Sequence, residues 1–287
     1  MKDTQNYKVV GFMLKPNAPE IKNTYLKIKE QFEAFGYEIF LAQRSAKMIG
    51  LDGVSLDKLS QECDFLVSIG GDGTLLSLVR RSYRYQKPVV GINAGNLGFL
   101  ADVKIDEVED FLKQLKSGEC RIDERLMIKG TIISEAKEIK FFAFNDVVVT
   151  RPTISKMATI EAYIDDEMFN SYRGDGLIIS TPTGSTAYNL AANGPIMYPL
   201  TNAFILTPIC PHSLTQRPLV VPSDFTISIK TPKDKVIVMV DGQDSYELDM
   251  QDSLIIKGAK NSALFLHRKE RNYFRVIRDK LSWGEAW

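Results

Sequence analysis

The sequence predicts two domains of different class, an α/β domain followed by a β-rich domain. Over about the first 120 residues, apolar strand-like runs alternate with runs at helical spacing, which is typical of a parallel sheet with helices on both faces. Strand patterns then dominate from Arg125 to His267, and helical spacing returns at 272–281. We therefore place the domains at 1–122 and 123–267, with 268–287 as a helical segment that packs back on the first domain.

Composition narrows the class of protein. The chain has 287 residues, enough for two domains with cores of their own. Lys and Arg number 36 and so do Asp and Glu, so no net charge favours nucleic acid or an anionic membrane. No apolar run approaches the roughly 18 residues of a membrane span, and the polar N-terminus is unlike a signal peptide. We expect a cytoplasmic protein, and we expect its three widely spaced cysteines to be buried and unbridged.

The elements of the first domain follow from its apolar spacing. Strands are expected at 7–14, 38–42, 65–69 and 87–93, and helices at 21–36, 74–85 and 105–118. The segment 43–59 has weak periodicity and two glycines, and we interpret it as a flexible connection with room for a short helix.

The second domain contains a series of strand-like runs. The strands are expected at 127–133, 140–150, 158–164, 176–180, 204–208, 225–230, 235–240, 253–256 and 263–266. One helix is expected at 185–193.

A first glycine turn, residues 70–74, joins an expected strand to an expected helix. Its glycines allow a ligand to approach the backbone amides closely, and a helix N-terminus favours phosphate. The phosphate-binding candidates are Gly70, Gly71, Gly73 and Thr74. Asp72 is unusual there because a carboxylate repels phosphate. It either caps the helix or acts on a proton or a metal beside the phosphates.

A second glycine turn, residues 94–100, follows the next strand. The carboxyl ends of parallel strands share one edge of a sheet, where ligands bind. Neither turn has the lysine of a P-loop or the spacing GxGxxG, which excludes a P-loop kinase and a standard dinucleotide dehydrogenase. The alternative for the second turn is ordinary loop chemistry.

Two further stretches present polar side chains. A hydroxyl-rich turn, residues 181–188, follows a strand preceded by Asp175, and it is either a capped turn or a ligand site. The pair Asn145-Asp146 interrupts the apolar run 141–149, so it needs a cross-strand partner or a ligand ribose. With only two histidines, neither a metal cluster nor a Ser-His-Asp triad is expected.

Together these motifs resemble the NAD kinase family. Residues 70–74 match the GGDGT motif of a superfamily that includes NAD kinases, diacylglycerol and sphingosine kinases and, more distantly, 6-phosphofructokinases. Four further motifs are similar to those of NAD kinases, at 93–100, 145–146, 173–195 and 206–219. The resemblance extends over about 65–243, and the run 173–195 is its most specific part.

The resemblance implies a Rossmann-like first domain, an NAD-binding second domain and a defined reaction. ATP would phosphorylate the 2′-hydroxyl of the adenosine ribose of NAD, with Asp72 as general base. Mg²⁺ or another divalent metal would arrive with ATP, because no acidic cluster is visible. The residues that the resemblance implies for NAD are Asp72, Gly73, Phe99, Asn145, Asp146, Asp175, Thr183, Thr186, Ala187 and Tyr188.

Two of these positions carry further implications. Asp146 stands where the family usually has glutamate, and Asp175 matches a carboxylate that the family presents from a neighbouring subunit. The latter implies a homo-oligomer, a dimer or a tetramer. The alternatives are a lipid kinase of the diacylglycerol type and a non-catalytic sensor of NAD or NADP.

Overall fold

The computed structural model describes residues 4–95, 98–101, 103–135, 137–153 and 157–284. The chain forms two compact units, one made of residues up to Glu124 and from Ala263 onward, the other of Arg125–Ser262. The domain boundaries therefore lie at 124 and 262, where the sequence analysis placed them at 122 and 267. The second differs because the strand at 263–267 belongs to the first unit.

The regular elements are numbered in chain order. The strands are β1 Val9–Leu14, β2 Glu38–Leu41, β3 Phe65–Gly70, β4 Val89–Asn93, β5 Val103–Lys104, β6 Arg121–Arg125, β7 Ile128–Ile133, β8 Glu138–Ala143, β9 Asp146–Thr150, β10 Ala158–Ile164, β11 Glu167–Gly174, β12 Gly176–Ser180, β13 Ala203–Ile209, β14 Leu219–Pro222, β15 Ile227–Lys230, β16 Val236–Val240, β17 Asp244–Leu248, β18 Ser253–Gly258 and β19 Ala263–His267. The α-helices are α1 Lys22–Ala34, α2 Gln43–Ile49, α3 Leu56–Glu62, α4 Asp72–Ser82, α5 Val108–Ser117, α6 Tyr188–Ala191 and α7 Tyr273–Leu281. Short 3₁₀ turns occupy Thr4–Asn6, Pro19–Ile21, Tyr83–Tyr85, Ile105–Glu107 and Thr183–Thr186.

The first unit is built on a seven-stranded sheet with strand order β2-β1-β3-β4-β19-β6, and β5 also pairs with β4. The pairs β1/β2, β1/β3, β3/β4 and β4/β19 are parallel. Alternate residues of β1 face opposite sides of the sheet. Phe12 packs with α1 and α5 residues on one face, while a Cβ at Gly11 would collide with Leu59 of α3 on the other. Helices on both faces confirm the predicted α/β class.

The segment 43–59 is more regular than expected. It contains α2 and most of α3 instead of a flexible connection. Gly50 ends α2 in the left-handed conformation, with φ 72°, and the Ser55 side chain accepts the Lys58 N–H to cap α3. Each helix has seven residues and buries few apolar side chains, so its periodicity is weak in the sequence.

The second unit consists of two six-stranded antiparallel sheets, β11-β10-β15-β18-β7-β8 and β14-β13-β12-β9-β16-β17. Apolar residues from both sheets form one shared core, which confirms the predicted β-rich class. The single strand expected at 140–150 is two strands that belong to different sheets, β8 and β9. Asn145 therefore lies at the break between two strands and not inside one.

The C-terminal segment completes the first unit. β19 pairs with β4 in the parallel sheet, so residues 263–267 leave the β-rich domain to which the sequence analysis assigned them. The Asn272 side chain caps α7, which buries Val276 and Ile277. The predicted return of the last helix to the first domain is confirmed. Among the described residues, no helix is long and apolar enough to cross a membrane.

Candidate active site

The first glycine turn leads directly from β3 into α4, which begins at Asp72 rather than Thr74. Gly71 and Gly73 are exposed, and a Cβ at either position would meet no atom within 4 Å. Neither glycine has a positive φ, so neither packing nor backbone conformation requires it. Glycine in place of alanine costs a helix about 0.5–1 kcal/mol. The two glycines therefore leave open space beside the start of a helix, where an anionic ligand is favoured.

The second glycine turn lies beside the first. Gly70 is opposite Asn93 in the β3/β4 register, and the Ala94 N–H donates to the Gly70 carbonyl at 3.2 Å. The Asn93 amide fixes its own turn: its oxygen accepts the Gly95 N–H at 2.8 Å and its nitrogen donates to the Ala101 carbonyl. The expected juxtaposition of the two turns is present. Asn96 and Leu97 of this motif lie outside the described residues.

The Asp72 carboxylate links the two turns. Its Oδ2 accepts the Phe99 N–H at 2.8 Å, and its Oδ1 accepts the N–H groups of Leu100 and Ala101 at 3.1 and 2.9 Å. Asp72 is the first residue of α4 and Gly71 is its N-cap, and none of the described hydrogen bonds joins the Asp72 carboxylate to an N–H of α4, so the structure does not support the capping interpretation. A carboxylate offers about four acceptor positions, so Oδ2 retains one. A Cβ at Gly98 would overlap Oδ1, which explains a glycine there.

Phe99 is held by the C-terminal segment. Its carbonyl accepts a hydrogen bond from the Arg271 guanidinium at 3.1 Å, and Lys280 Nζ lies 5.8 Å from its ring centroid. The half-buried ring therefore has a fixed backbone and a cation on one face.

In the second unit, the break between β8 and β9 is held by Asp241, which the sequence analysis missed. Its carboxylate accepts the N–H groups of Phe144, Asn145 and Asp146 at 2.7–2.9 Å, and its own N–H donates to the Asp146 carbonyl. The signal in the sequence was an Asp-Gly pair directly after a strand, and both residues have positive φ, 51° and 62°.

Three polar groups near this break lack partners among the described residues. Asp146 is only 4% exposed and none of the described hydrogen bonds reaches its carboxylate. Burial, and then the charge of Asp241, raise the pKa of Asp146 to about 7. Asn145 Oδ1 and Thr183 Oγ1 are buried without a hydrogen bond. A Cβ at Gly184 would overlap the Asn145 carbonyl, so the Thr183 segment packs directly on Asn145. Buried polar groups of this kind require a partner, either water or a polar ligand.

The hydroxyl-rich turn is held in place by hydrogen bonds of a buried asparagine. The Asn189 side chain donates to the carbonyls of Ser185 and Pro195 and accepts from Thr207 Oγ1 at 2.6 Å. A 3₁₀ turn and the four-residue α6 replace the helix expected at 185–193. Much of the run 173–195, the most specific part of the resemblance, therefore has a structural role. Tyr188 is 43% exposed, and Thr186 and Ala187 before it are half-buried.

Asp175 is paired within its own chain. Its carboxylate lies 3.0 Å from the Arg151 guanidinium, and its carbonyl accepts the Arg151 N–H and the Thr150 hydroxyl. The carboxylate still has 32% exposure, so it is accessible to a further partner.

The remaining candidates for a chemical role are metal ligands and cysteines. Among the described residues, no group of three or more His, Cys, Asp or Glu side chains is arranged to hold a metal ion. Cys63 and Cys120 are buried as expected, but Cys210, which follows β13 with a positive φ, is exposed.

Comparison with known proteins decides the family. Residues 10–120 match the model of the ATP-NAD kinase N-terminal domain, and residues 144–268 match that of the C-terminal domain. The chain belongs to the NAD kinase family. The NAD kinase of Sulfurimonas denitrificans is 50% identical over 283 residues, which cover 99% of this chain and 100% of that protein. The NAD kinase of Wolinella succinogenes is 50% identical over 287 residues, covering 100% and 99%.

Solved NAD kinase structures share the fold. Yeast NADH kinase complexed with NADH aligns with a TM-score of 0.90 at 25% identity, covering 98% of this chain and 89% of that one. An NAD kinase from Archaeoglobus fulgidus in complex with ATP aligns with a TM-score of 0.78 at 26% identity, covering 96% and 98%. The chain is therefore an enzyme, a kinase of the NAD kinase type.

The residues that the NAD kinase resemblance implies fall into one group in each unit. Within the first unit, the structure brings together the two glycine turns, Asp72 and Phe99. Within the second unit, it brings the Thr183 segment against Asn145 and its neighbour Asp146. Asp175 instead lies at the other end of β12, beside Arg151.

Proposed function

We propose that this NAD kinase transfers the γ-phosphoryl group of ATP to the 2′-hydroxyl of the adenosine ribose of NAD, giving NADP and ADP. The observation that carries the proposal is the Asp72 carboxylate. It is fixed by three backbone amides, it keeps one acceptor position on Oδ2, and it stands at a glycine turn with open space beside it. The ATP and NADH bound in the two structural neighbours fit a donor and an acceptor of this class.

The step balances with Asp72 as the base. The 2′-oxygen forms a bond to the γ-phosphorus, the bond from that phosphorus to the β-phosphate oxygen breaks, and ADP leaves. The hydroxyl proton passes to Asp72 Oδ2. A positioned base of this kind contributes about 10²–10⁴-fold, and positioning of the two substrates supplies much of the rest.

The first glycine turn would hold the phosphates. The candidates are Gly70, Gly71, Gly73 and Thr74, and the positive end of α4 favours the same ligand. We propose that Mg²⁺ or another divalent ion arrives with ATP and neutralises phosphate charge, because a nucleotide-bound ion needs few protein ligands.

The second unit would bind the dinucleotide. Asn145 Oδ1 is buried without a hydrogen bond, and no described hydrogen bond reaches the Asp146 carboxylate. Ribose hydroxyls are matching donors for both. Exposed Tyr188, with Thr186 and Ala187 before it, would pack on a base. Phe99 and Gly73 are further candidates for NAD contact, and Asp175 would act from a neighbouring subunit of a homo-oligomer. A cytoplasmic location, with access to both substrates, is part of the same proposal.

A donor and acceptor screen tests this function. The purified protein is incubated with ATP, other triphosphates or polyphosphate, each crossed with NAD and NADH, with and without EDTA, and with a diacylglycerol as control acceptor. We expect NADP from ATP and NAD, no product with EDTA, and ³¹P NMR signals of a 2′-phosphate. Phosphorylated lipid, a 3′-phosphate, or tight NAD binding without turnover would each contradict the proposal.

A further inference from the structure

The first glycine turn contains no basic residue, although a triphosphate is strongly anionic. Phosphoryl transfer depends on positive groups that neutralise the phosphate oxygens, and the P-loop does this with its own lysine. The Mg²⁺ proposed above would neutralise part of this charge, and any side-chain cation for this turn has to come from another part of the fold. The neighbouring parallel strands end at the same edge of the sheet, so they are the first place to search.

Lys15 lies at that edge, immediately after β1. β1 pairs with β3, and the Lys15 N–H donates to the Ile69 carbonyl at 2.8 Å, one residue before the turn. A Cβ placed on Gly70 would lie 3.1 Å from Lys15 Cβ and 2.5 Å from Thr74 Oγ1. The absence of a side chain at Gly70 therefore lets the stem of Lys15 pack directly against the turn.

The charge of Lys15 has no partner among the residues that the structure describes. The residue is exposed, and no described hydrogen bond or ion pair involves its side chain. Exposed lysines elsewhere in the first unit do pair with acids, as Lys113 does with Glu109 at 2.9 Å. The carboxylate of Asp72 accepts the amides of residues 99–101, and no described ion pair joins it to Lys15. A lysine is a point charge on a flexible stem, which suits a phosphate oxygen.

We propose that Lys15 binds non-bridging oxygens of the triphosphate held at the first glycine turn, and so supplies from β1 the charge that the turn lacks. This inference rests on the proposed function, because it needs the nucleotide phosphates at residues 70–74. It makes Lys15 a determinant of the phosphoryl donor and leaves NAD binding untouched.

The test replaces Lys15 with Met, which keeps an apolar stem and removes the charge. Lys8 is the matched control, since it is an exposed lysine just before the opposite end of the same strand, about 20 Å away for a six-residue strand. We expect Lys15→Met to lower kcat/KM for ATP about 10- to 100-fold, the range for a hydrogen bond to a charged group. The KM for NAD should stay within twofold, Lys8→Met should behave as wild type, and Lys15→Arg should recover most of the loss.

A loss below fivefold in kcat/KM for ATP, an equal loss in Lys8→Met, or a loss confined to the KM for NAD would overturn the inference. Calorimetric titration with Mg-ATP gives an independent readout. If the wild-type protein makes no NADP, the proposed function fails, and the titration still decides the role of Lys15. Equal affinities for Lys15→Met and wild type would then refute it. Lys15→Gln with the same readouts replaces Lys15→Met if that variant is poorly folded.

Discussion

Asp72→Asn separates two roles that the structure combines in one carboxylate, an anchor for the second glycine turn and a base. An asparagine has one acceptor oxygen. If that oxygen keeps the two N–H groups now bound by Oδ1, the amide nitrogen faces the N–H of Phe99, and two donors oppose each other. One hydrogen bond is lost, and the other two then have a neutral acceptor instead of a charged one.

The magnitude follows from these three bonds. A hydrogen bond to a charged group contributes about 1.5–3 kcal/mol and a neutral one about 0.5–1.5 kcal/mol. Because Asp72 is partly exposed, we expect a total loss of about 2–3 kcal/mol in the free energy of unfolding. For a unit of this size the melting temperature should fall by about 4–10 °C. Turnover should fall about 100-fold or more, the scale of a lost general base.

The matched control is Gly98→Ala. The added Cβ overlaps Asp72 Oδ1, so it displaces the carboxylate but keeps its ability to take a proton. Both variants should melt lower than wild type. Only Asp72→Asn should lose turnover by about 100-fold or more, measured by coupled detection of NADP well below the melting temperature.

Two results would refute this reasoning. An unchanged melting temperature in Asp72→Asn would show that the three amide bonds do not anchor the turn. Turnover of Asp72→Asn within tenfold of wild type would remove Asp72 from proton transfer.

Three further predictions concern the second unit. In Gly184→Ala the new Cβ overlaps the Asn145 carbonyl, so we expect NAD binding to be at least tenfold weaker when measured by calorimetry. An unchanged affinity for NAD would contradict the role of this contact. The raised pKa of Asp146 means that the folded state holds its proton longer than the unfolded state. Stability should therefore fall as pH rises from about 4 to about 7, by at most about 4 kcal/mol, and urea titrations of Asp146→Asn should lack this component. Asp175→Ala should raise the KM for NAD, and oligomers that mix Asp175→Ala with Asp72→Asn subunits should regain activity. If such mixed oligomers form but regain no activity, a site shared between subunits is excluded.

Local patterns were sufficient for the first site. Apolar runs of five or six residues, glycine turns and capping residues are set by neighbouring residues, so the passage from β3 into a helix and the pairing of two glycine turns at one sheet edge could be predicted. The bonds of Asp72 could not, because its partners lie 27–29 residues away and their direction depends on how the second turn folds.

The second site was harder to predict because its support is more distant in sequence. Asp241 binds backbone groups 95–97 residues away, and its own sequence context indicates only a turn. The break after Ala143 is equally hidden, since the apolar run 141–149 extends over parts of both strands and only Asn145-Asp146 interrupts it. The resemblance to the NAD kinase family was enough to single out Asn145 and Asp146. That their acceptor atoms have no partners among the described residues could be seen only in the folded structure.

The strand order of the first sheet has a consequence for synthesis. β6 and β19 are neighbours in that sheet, yet the whole of Arg125–Ser262 is translated between them. On the ribosome the β-rich unit is complete before the last central strand of the α/β unit emerges. The α/β unit therefore lacks one neighbour of β4 until β19 is made, because Phe265 of β19 comes 176 residues after its partner Val89 of β4. An exposed parallel edge is prone to wrong pairing. The α/β unit is the first to be translated and the last to be completed. Its sheet is therefore the part of the new chain most exposed to wrong strand pairing.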